Sequence, residues 1–147
     1  MEDLVKESKV VLANTFALYL KAHNYHLNVE GPDFYPLHKF FEDLYTELWE
    51  AFDSIAEHIR AMGAYAPASF SRFSQLAEVE DEVKVPESQE MIRRLLEDNE
   101  RVIGSLYRAY ERAEAQQELG VANFFQDRID IHKKHRDRKS TRLNSSH

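Results

Sequence analysis

Five side chains that could bind a metal ion lie between positions 26 and 57: His26, His38, Glu42, Asp53 and Glu57. Imidazole nitrogens and carboxylate oxygens are ligands that suit iron, manganese and zinc. The 147-residue sequence contains no cysteine, which excludes disulfides and thiolate metal sites. Any metal centre in this chain must therefore be built from histidine and acidic residues.

Four of these residues follow helical spacing. His38 and Glu42 are four positions apart, and so are Asp53 and Glu57, so each pair can converge on one ion from a single helix face. At about 100° per residue, all four fall within an arc of about 100°. This arc borders the apolar stripe of the same segment, which consists of Leu37, Phe41, Leu44, Leu48, Phe52, Ile55 and Ile59. Acids at the edge of a buried stripe are not typical of the solvated face of an amphipathic helix.

The two pairs cannot share an ion within one helix. Glu42 and Asp53 are 11 residues apart, which is about 16 Å along a helix, whereas metal–ligand bonds are about 2 Å long. Two antiparallel helices related by a two-fold axis would instead bring His38 and Glu42 of one chain against Asp53 and Glu57 of the other. No histidine has Glu three positions before it, so the Glu-x-x-His motif of intrasubunit di-iron bundles is absent.

His26 is the fifth candidate ligand. It could fold back across the sequence EGPD and join His38, which the spacing permits but does not require. Taken alone, His26 is equally typical of a capping or core histidine, and the His38–Glu42 pair of a surface hydrogen bond. His23 and His58 are further candidates for metal groups, with ordinary exposed polar residues as the alternative.

Four long helical segments must position these residues. Apolar periodicity predicts helices over residues 3–29, 34–62 and 86–117, and a fourth that begins after the sequence ELG and ends near Arg136. Asp33 is a candidate N-cap of the second helix, and Gly63 a candidate C-terminal residue. The connection over 64–85 is long and contains a short helix within SFSRFSQL. Two helical hairpins joined by such a crossover predict an all-α, ferritin-like four-helix bundle.

The last eleven residues, DRKSTRLNSSH at 137–147, differ from everything before them. They are polar and without helical period, which predicts a disordered tail. The string also resembles the in-frame translation of a common sequencing adapter, so we expect a non-native tail and a truncated last helix. The expected domain is therefore a single unit over residues 1–136, and the basic residues of the tail are not interpreted as a DNA-binding arm.

Composition narrows the function classes. No apolar run approaches the ~20 residues that a membrane span needs, and the first residues lack the apolar core of a signal peptide, so we expect a cytoplasmic protein. The net charge of −7 disfavours nucleic-acid binding by simple electrostatic attraction, because that binding needs clustered Lys and Arg.

The blocks YHLNVEGPDFYPLHKFFEDLY and DSIAEHIRAMG resemble the signature of Dps proteins, the mini-ferritins, and the similarity extends over about residues 5–136. The resemblance implies a dodecameric homo-oligomer that oxidises Fe(II), usually with hydrogen peroxide and alternatively with oxygen, and stores the ferric mineral inside. It implies two irons at each intersubunit site. The ligands would be His26, His38 and Glu42 of one subunit, with Asp53 and Glu57 of its two-fold partner.

Two alternatives stay open beside this ferroxidase. One is a non-catalytic assembly of the same fold that binds DNA and protects the nucleoid; DNA binding is possible here but not favoured. The other is a bundle that binds zinc or manganese at the same residues. The sequence also departs from the family at Leu27, where the family commonly has a Trp that is thought to quench stray oxidising equivalents. Tyr25, Tyr45 or Trp49 could substitute for it, with core packing as the alternative role.

Overall fold

Five helices form the chain, and four of them are long. The computed structural model describes residues 1–145, and no strand occurs within that range. The helices are α1 (Glu2–Asn28), α2 (Phe34–Ala61), α3 (Phe70–Leu76), α4 (Ser88–Ala115) and α5 (Leu119–Ser145). The short connections make α1/α2 and α4/α5 helical hairpins, and the crossover from α2 to α4 carries α3. The all-α four-helix bundle with a long crossover, predicted from the sequence, is confirmed.

The core is built where the apolar stripes of the long helices meet. Helix α1 packs against both α2 and α4, while α5 packs against α4 and α3 packs against α1. Large side chains with no solvent exposure fill the interior, among them Tyr25, Phe41, Phe125, Leu12 and Leu48. Helix α2 thus buries one stripe in the bundle and leaves its neighbouring face outside, which is the face that carries the acids.

Helix α2 has the end predicted for it and a less typical start. Gly63 has a φ of +89°, and the N–H groups of Gly63 and Ala64 donate to the carbonyls of Arg60 and Ile59 at 3.0 and 3.3 Å. This is a Schellman arrangement, which favours glycine because of its left-handed backbone. Asp33 occupies the N-cap position, but its side chain makes no capping hydrogen bond.

The crossover is attached to α1 by buried polar groups. The fully buried Asn14 accepts from the N–H groups of Glu78 and Val79 at 2.6 and 3.2 Å. Tyr25 donates to the Glu82 carboxylate at 2.7 Å. These contacts hold the segment after α3 against the face of α1 that leads to His26.

A buried polar network attaches α5 to α2 and α4. Arg128 donates to Glu47 through both terminal nitrogens, one at 3.0 Å, and His135 Nε2 lies 2.9 Å from the same carboxylate. His132 Nε2 accepts from Arg128 at 3.0 Å, and its Nδ1 donates to Asn99 Oδ1 at 2.9 Å. His132 is therefore held neutral, and burial lowers its pKa well below the ordinary value.

The expectation of disorder from Asp137 onward is wrong for the residues that the structure describes, because α5 continues to Ser145. Lys139 is fully buried and Leu143 packs against the core. The guanidinium of Arg138 lies 5.6 Å from the ring centroid of Phe40. A docked helix adds one hydrogen bond per residue as it lengthens, so a polar continuation stays helical once the preceding turns are packed. The expected adapter origin of these residues stays a prediction.

Candidate metal centre

The turn between α1 and α2 brings two histidines from different helices together. His26 lies in the last turn of α1 and His38 in the second turn of α2. Gly31, with a φ of +102°, reverses the chain between them, and its carbonyl accepts from the Phe34 N–H at 3.1 Å. The sequence only permitted this approach; in the structure the two ring centroids are 3.8 Å apart and nearly parallel.

Each histidine binds the backbone of the other. His26 Nδ1 lies 2.9 Å from the His38 carbonyl oxygen, and His38 Nδ1 lies 2.8 Å from the His26 carbonyl oxygen. A carbonyl oxygen only accepts hydrogen bonds, so both Nδ1 atoms carry the proton and both Nε2 atoms keep a lone pair. Hydrogen bonds of this kind orient the histidine ligands of metal sites.

Glu42 completes a three-residue cluster. Its carboxylate lies one helical turn beyond His38, and one ligand atom from each of His26, His38 and Glu42 lies within 4.8 Å of the others. All three side chains are half-buried. Two imidazole nitrogens and a carboxylate oxygen form a donor set that suits Fe(II) and equally accepts zinc or manganese.

The other two candidate ligands lie elsewhere on the chain. Asp53 and Glu57 are exposed on α2, three to four turns beyond Glu42, and do not join the cluster. His58 also stays apart, since its ring lies 4.2 Å from that of Phe124 on α5. One chain therefore supplies a three-residue cluster and, separately, a pair of free carboxylates.

A group of aromatic rings borders the cluster, and sequence reasoning identified it only in part. Tyr19 Oη lies 2.8 Å from His23 Nδ1, and the His23 ring stacks on Tyr45 with centroids 3.9 Å apart. Burial raises the pKa of Tyr19, with Tyr45 adding to the effect. Burial also lowers the pKa of His23, as does His26. Both side chains are therefore neutral near pH 7. The four-residue spacing of Tyr19 and His23 in a helix that ends at His26 was the signal that could have revealed the pair.

The face of α1 beside the cluster is apolar and open. A groove of about 930 Å³ lies between α1 and the crossover. Its exposed apolar lining includes Leu20, Leu27, Phe70 and Val83, with 43%, 66%, 80% and 86% of their surface accessible. Contiguous apolar surface of this kind marks an interaction site more often than it marks free surface.

A long-crossover helical bundle with a His–His–Glu cluster at one face is a ferritin-like arrangement, and comparison with known proteins agrees. The Ferritin-like domain family matches residues 9–145. The DNA protection during starvation protein of Brevibacillus brevis is 31% identical over 76% of this chain and 75% of its own length. The structure of Dps from Staphylococcus aureus superposes with a TM-score of 0.93 at 29% identity, over 97% of this chain and 96% of that one.

A third comparison concerns the fold alone. The Dps protein of Vibrio cholerae, described as a member of the ferritin-like diiron-carboxylate superfamily, superposes with a TM-score of 0.93 at 24% identity, over 97% of this chain and 89% of that one. Taken with the matches above, these likenesses show that the chain belongs to the Dps family of ferritin-like proteins. Among the described residues, no helix has the length and apolarity that crossing a membrane would require.

Proposed function

We propose that this protein is a ferroxidase that oxidises Fe(II) with hydrogen peroxide at sites shared between two subunits and stores the ferric product inside a hollow homo-oligomer. The observation that carries the proposal is the cluster of His26, His38 and Glu42, in which both Nε2 lone pairs are free and oriented. Iron is the substrate in this account. The membership of the chain in a ferritin-like family is consistent with iron binding.

The cluster supplies only part of an iron site. Fe(II) takes more ligands than three side chains provide, and two neighbouring irons need a second set of carboxylates. Asp53 and Glu57 of the same chain are too far along α2 to contribute. A two-fold related copy, with its α2 antiparallel to the first, would supply both carboxylates, and symmetry would build two such sites per dimer.

The surface next to the cluster supports a second copy as the partner. Leu27 directly follows the ligand His26 and is 66% exposed, and it lines the apolar groove together with Leu20 and Phe70. Burying these side chains against another chain would be favourable by about 25 cal/mol for each Å² of apolar surface. The same contact would bring the exposed acids of one α2 toward the histidines of the other.

The chemistry that follows is a two-electron reduction. Two Fe(II) ions each give one electron to one peroxide, the O–O bond breaks, and two Fe(III) ions and two hydroxides result. The carboxylates stabilise the higher charge of Fe(III) and accept protons as the product hydrolyses. Pairing the irons avoids the single-electron step that would release a hydroxyl radical.

The alternative of a non-catalytic DNA-binding assembly has less support. The first turn of α1 carries Glu2 and Asp3, and the net charge is −7. Contact with phosphates needs Lys or Arg that can release counterions. The arginines of α4 are largely engaged in ion pairs, for example Arg94 with Glu82 and Arg108 with Glu78.

The test is anaerobic Fe(II) oxidation started by peroxide, in the parent and in the double variant His38→Ala, Glu57→Ala. We expect fast oxidation with two Fe(II) consumed per peroxide in the parent and loss of the fast phase in the double variant. His58→Ala is the matched control, since His58 lies on the same helix but against Phe124. Equal slow rates in parent and double variant would contradict the proposal and favour the binding or structural function. Zinc that binds without any iron oxidation would favour a zinc site.

A further inference from the structure

A continuous line of rings leads from the metal cluster to the surface. The centroid of Tyr45 lies 5.1 Å from that of His26 and 6.0 Å from that of Tyr19, and Tyr19 lies 5.1 Å from Trp49. Trp49 is 54% exposed and is the single tryptophan of the sequence. Tyr19 and Tyr45 are half-buried. Every step between neighbouring rings is short enough for van der Waals contact.

One residue in this line has a built-in proton acceptor. Tyr19 and His23 are four positions apart on α1, and Tyr19 Oη lies 2.8 Å from His23 Nδ1. When the imidazole carries its proton on Nε2, Nδ1 accepts the hydrogen bond of the phenol. His23 is itself held by stacking on Tyr45 with an interplanar angle of 7°. A phenol that loses an electron becomes a very strong acid, so an acceptor already in place lowers the barrier to its oxidation.

We propose that Tyr19, hydrogen-bonded to His23, is a redox-active residue that gives one electron to the iron site through Tyr45 when the site holds a single Fe(II), and that Trp49 connects it to the surface. This inference rests on the proposed ferroxidase function. It assigns to the Tyr19–His23 pair the capture of an oxidising equivalent that a half-filled site would otherwise release.

The electrons and protons balance. A single Fe(II) gives one electron to peroxide, the O–O bond breaks, and Fe(III), hydroxide and a hydroxyl radical are formed. Tyr19 then gives one electron to that radical, which becomes hydroxide, while the phenol proton moves along the hydrogen bond to His23 Nδ1. A second Fe(II) later reduces the tyrosyl radical, and the proton returns from His23. The sum is two Fe(II) oxidised for one peroxide reduced.

Aromatic packing is the competing explanation, and it differs in what it tolerates. A packing role needs the ring of Tyr19 but not its hydroxyl, so Tyr19→Phe would change nothing but stability. A redox role needs the hydroxyl and the His23 acceptor. Tyr110 offers a matched control, because its hydroxyl also bonds a side chain four positions away, Glu114 at 2.9 Å, on a different helix.

The first experiment needs no iron. Azidyl radicals made by pulse radiolysis oxidise Trp49, and the indolyl and tyrosyl radicals are followed by their separate absorption bands. We expect a first-order transfer from Trp49 to tyrosine whose rate is independent of protein concentration, slowed at least about tenfold in Tyr19→Phe and unchanged in Tyr110→Phe. Transfer at the parent rate in Tyr19→Phe would overturn the proposal.

The hydrogen bond is tested in the same apparatus. His23→Phe keeps a ring against Tyr45 and removes the acceptor of the phenol proton. We expect slower transfer in this variant, and a slower transfer in D₂O than in H₂O for the parent, because an O–H bond breaks in the step. A parent rate that is unaffected by both the substitution and D₂O would contradict the role assigned to His23.

The second experiment adds one Fe(II) per site and then peroxide, under argon with a spin trap. The parent should show a tyrosyl signal by electron paramagnetic resonance and little hydroxyl adduct, whereas Tyr19→Phe should show the reverse. An absence of Fe(II) oxidation in the parent would contradict the proposed ferroxidase function while leaving the radiolysis result intact. Rapid Fe(II) oxidation with equal hydroxyl adduct in parent and Tyr19→Phe would overturn the role of Tyr19 alone.

Discussion

His26 and His38 orient each other, since each donates its Nδ1 proton to the backbone carbonyl of the other, at 2.9 and 2.8 Å. The contact joins the end of α1 to the start of α2 and leaves both Nε2 lone pairs toward the Glu42 carboxylate. The ligand geometry is therefore a property of one folded chain, before any second subunit or metal arrives. What a second subunit would add is the carboxylates.

The His38 ring serves two purposes that one substitution separates. In His38→Asn, the amide Nδ2 can still donate to the His26 carbonyl, but the Nε2 ligand atom is gone. We expect a melting temperature close to that of the parent and an Fe(II) affinity at least about tenfold weaker, measured by anaerobic titration. His58→Asn is the control and should bind Fe(II) like the parent. Unchanged affinity in His38→Asn would remove His38 from the site.

Leu27 should be needed for dimer formation. A charge placed in the apolar groove by Leu27→Glu would have to be desolvated when a second chain covers it, so we expect dissociation to smaller species in sedimentation velocity. Leu119→Glu is the matched control, because Leu119 is 67% exposed, against 66% for Leu27, and lies at the start of α5. It should keep the two-fold dimer. A dimer that survives Leu27→Glu would place the interface elsewhere.

Glu47 should make the fold sensitive to acid. Burial alone would raise its pKa, but hydrogen bonds from His135 and Arg128 outweigh burial and lower the pKa to about 2. Below the ordinary value of 4.5 the unfolded chain binds a proton that the folded chain does not, so stability falls as the pH drops from about 4.5 through 2.

The corresponding variant is Glu47→Gln, which leaves the buried Arg128 without a counter-charge. We expect a loss of about 3 kcal/mol in the free energy of unfolding at pH 7, measured by urea denaturation. The gap between parent and variant should close as the pH falls from 4.5 toward 2. A gap that stays constant over this range would show that the Glu47 charge does not stabilise the fold.

Lys139 should destabilise the fold at neutral pH. It is fully buried, its Nζ lies 3.4 Å from the Leu95 carbonyl oxygen, and burial lowers its pKa to about 7 despite the opposing influence of Asp98. The unfolded chain binds this proton more tightly between pH 7 and 10.5, so the penalty is complete below 7 and fades as the pH rises.

The variant Lys139→Met keeps the length of the side chain and removes its charge. We expect a gain of a few kcal/mol in unfolding free energy at pH 6, narrowing toward pH 10, by urea denaturation. Lys134→Met, at a half-exposed or exposed position of the same helix, is the control and should have little effect. A destabilised Lys139→Met would contradict this account. It would also weaken the expectation that the residues after Arg136 are foreign to the fold.

The sequence predicted the architecture well because the apolar stripes are long and the breaks at Gly31 and Gly63 are sharp. The predicted ends of α1 and α2 lie within a residue of the observed ones. The end of α5 was wrong, because a window without apolar period cannot show that the preceding turns already fix the helix. Asp33 was placed correctly, although its side chain does not cap.

The candidate site was predictable in its ligand types but not in its geometry. Helical spacing paired His38 with Glu42, whereas the approach of His26 depends on the turn at Gly31 and on two backbone carbonyls, which no side-chain pattern encodes. The Tyr19–His23 pair was missed as a unit for the same reason. The role of Asp53 and Glu57 stays a prediction, because it depends on a second chain.

A complementation test addresses the central claim, that one iron site is made by two chains. Co-expressing His38→Ala with Glu57→Ala, under two affinity tags, yields mixed dimers. In these, one site carries both substitutions and the other carries neither. With random pairing about one quarter of all sites are intact, so the mixture should oxidise Fe(II) with peroxide at about one quarter of the parent rate, while each single variant alone is inactive. Purified mixed dimers as inactive as the single variants would contradict a shared site.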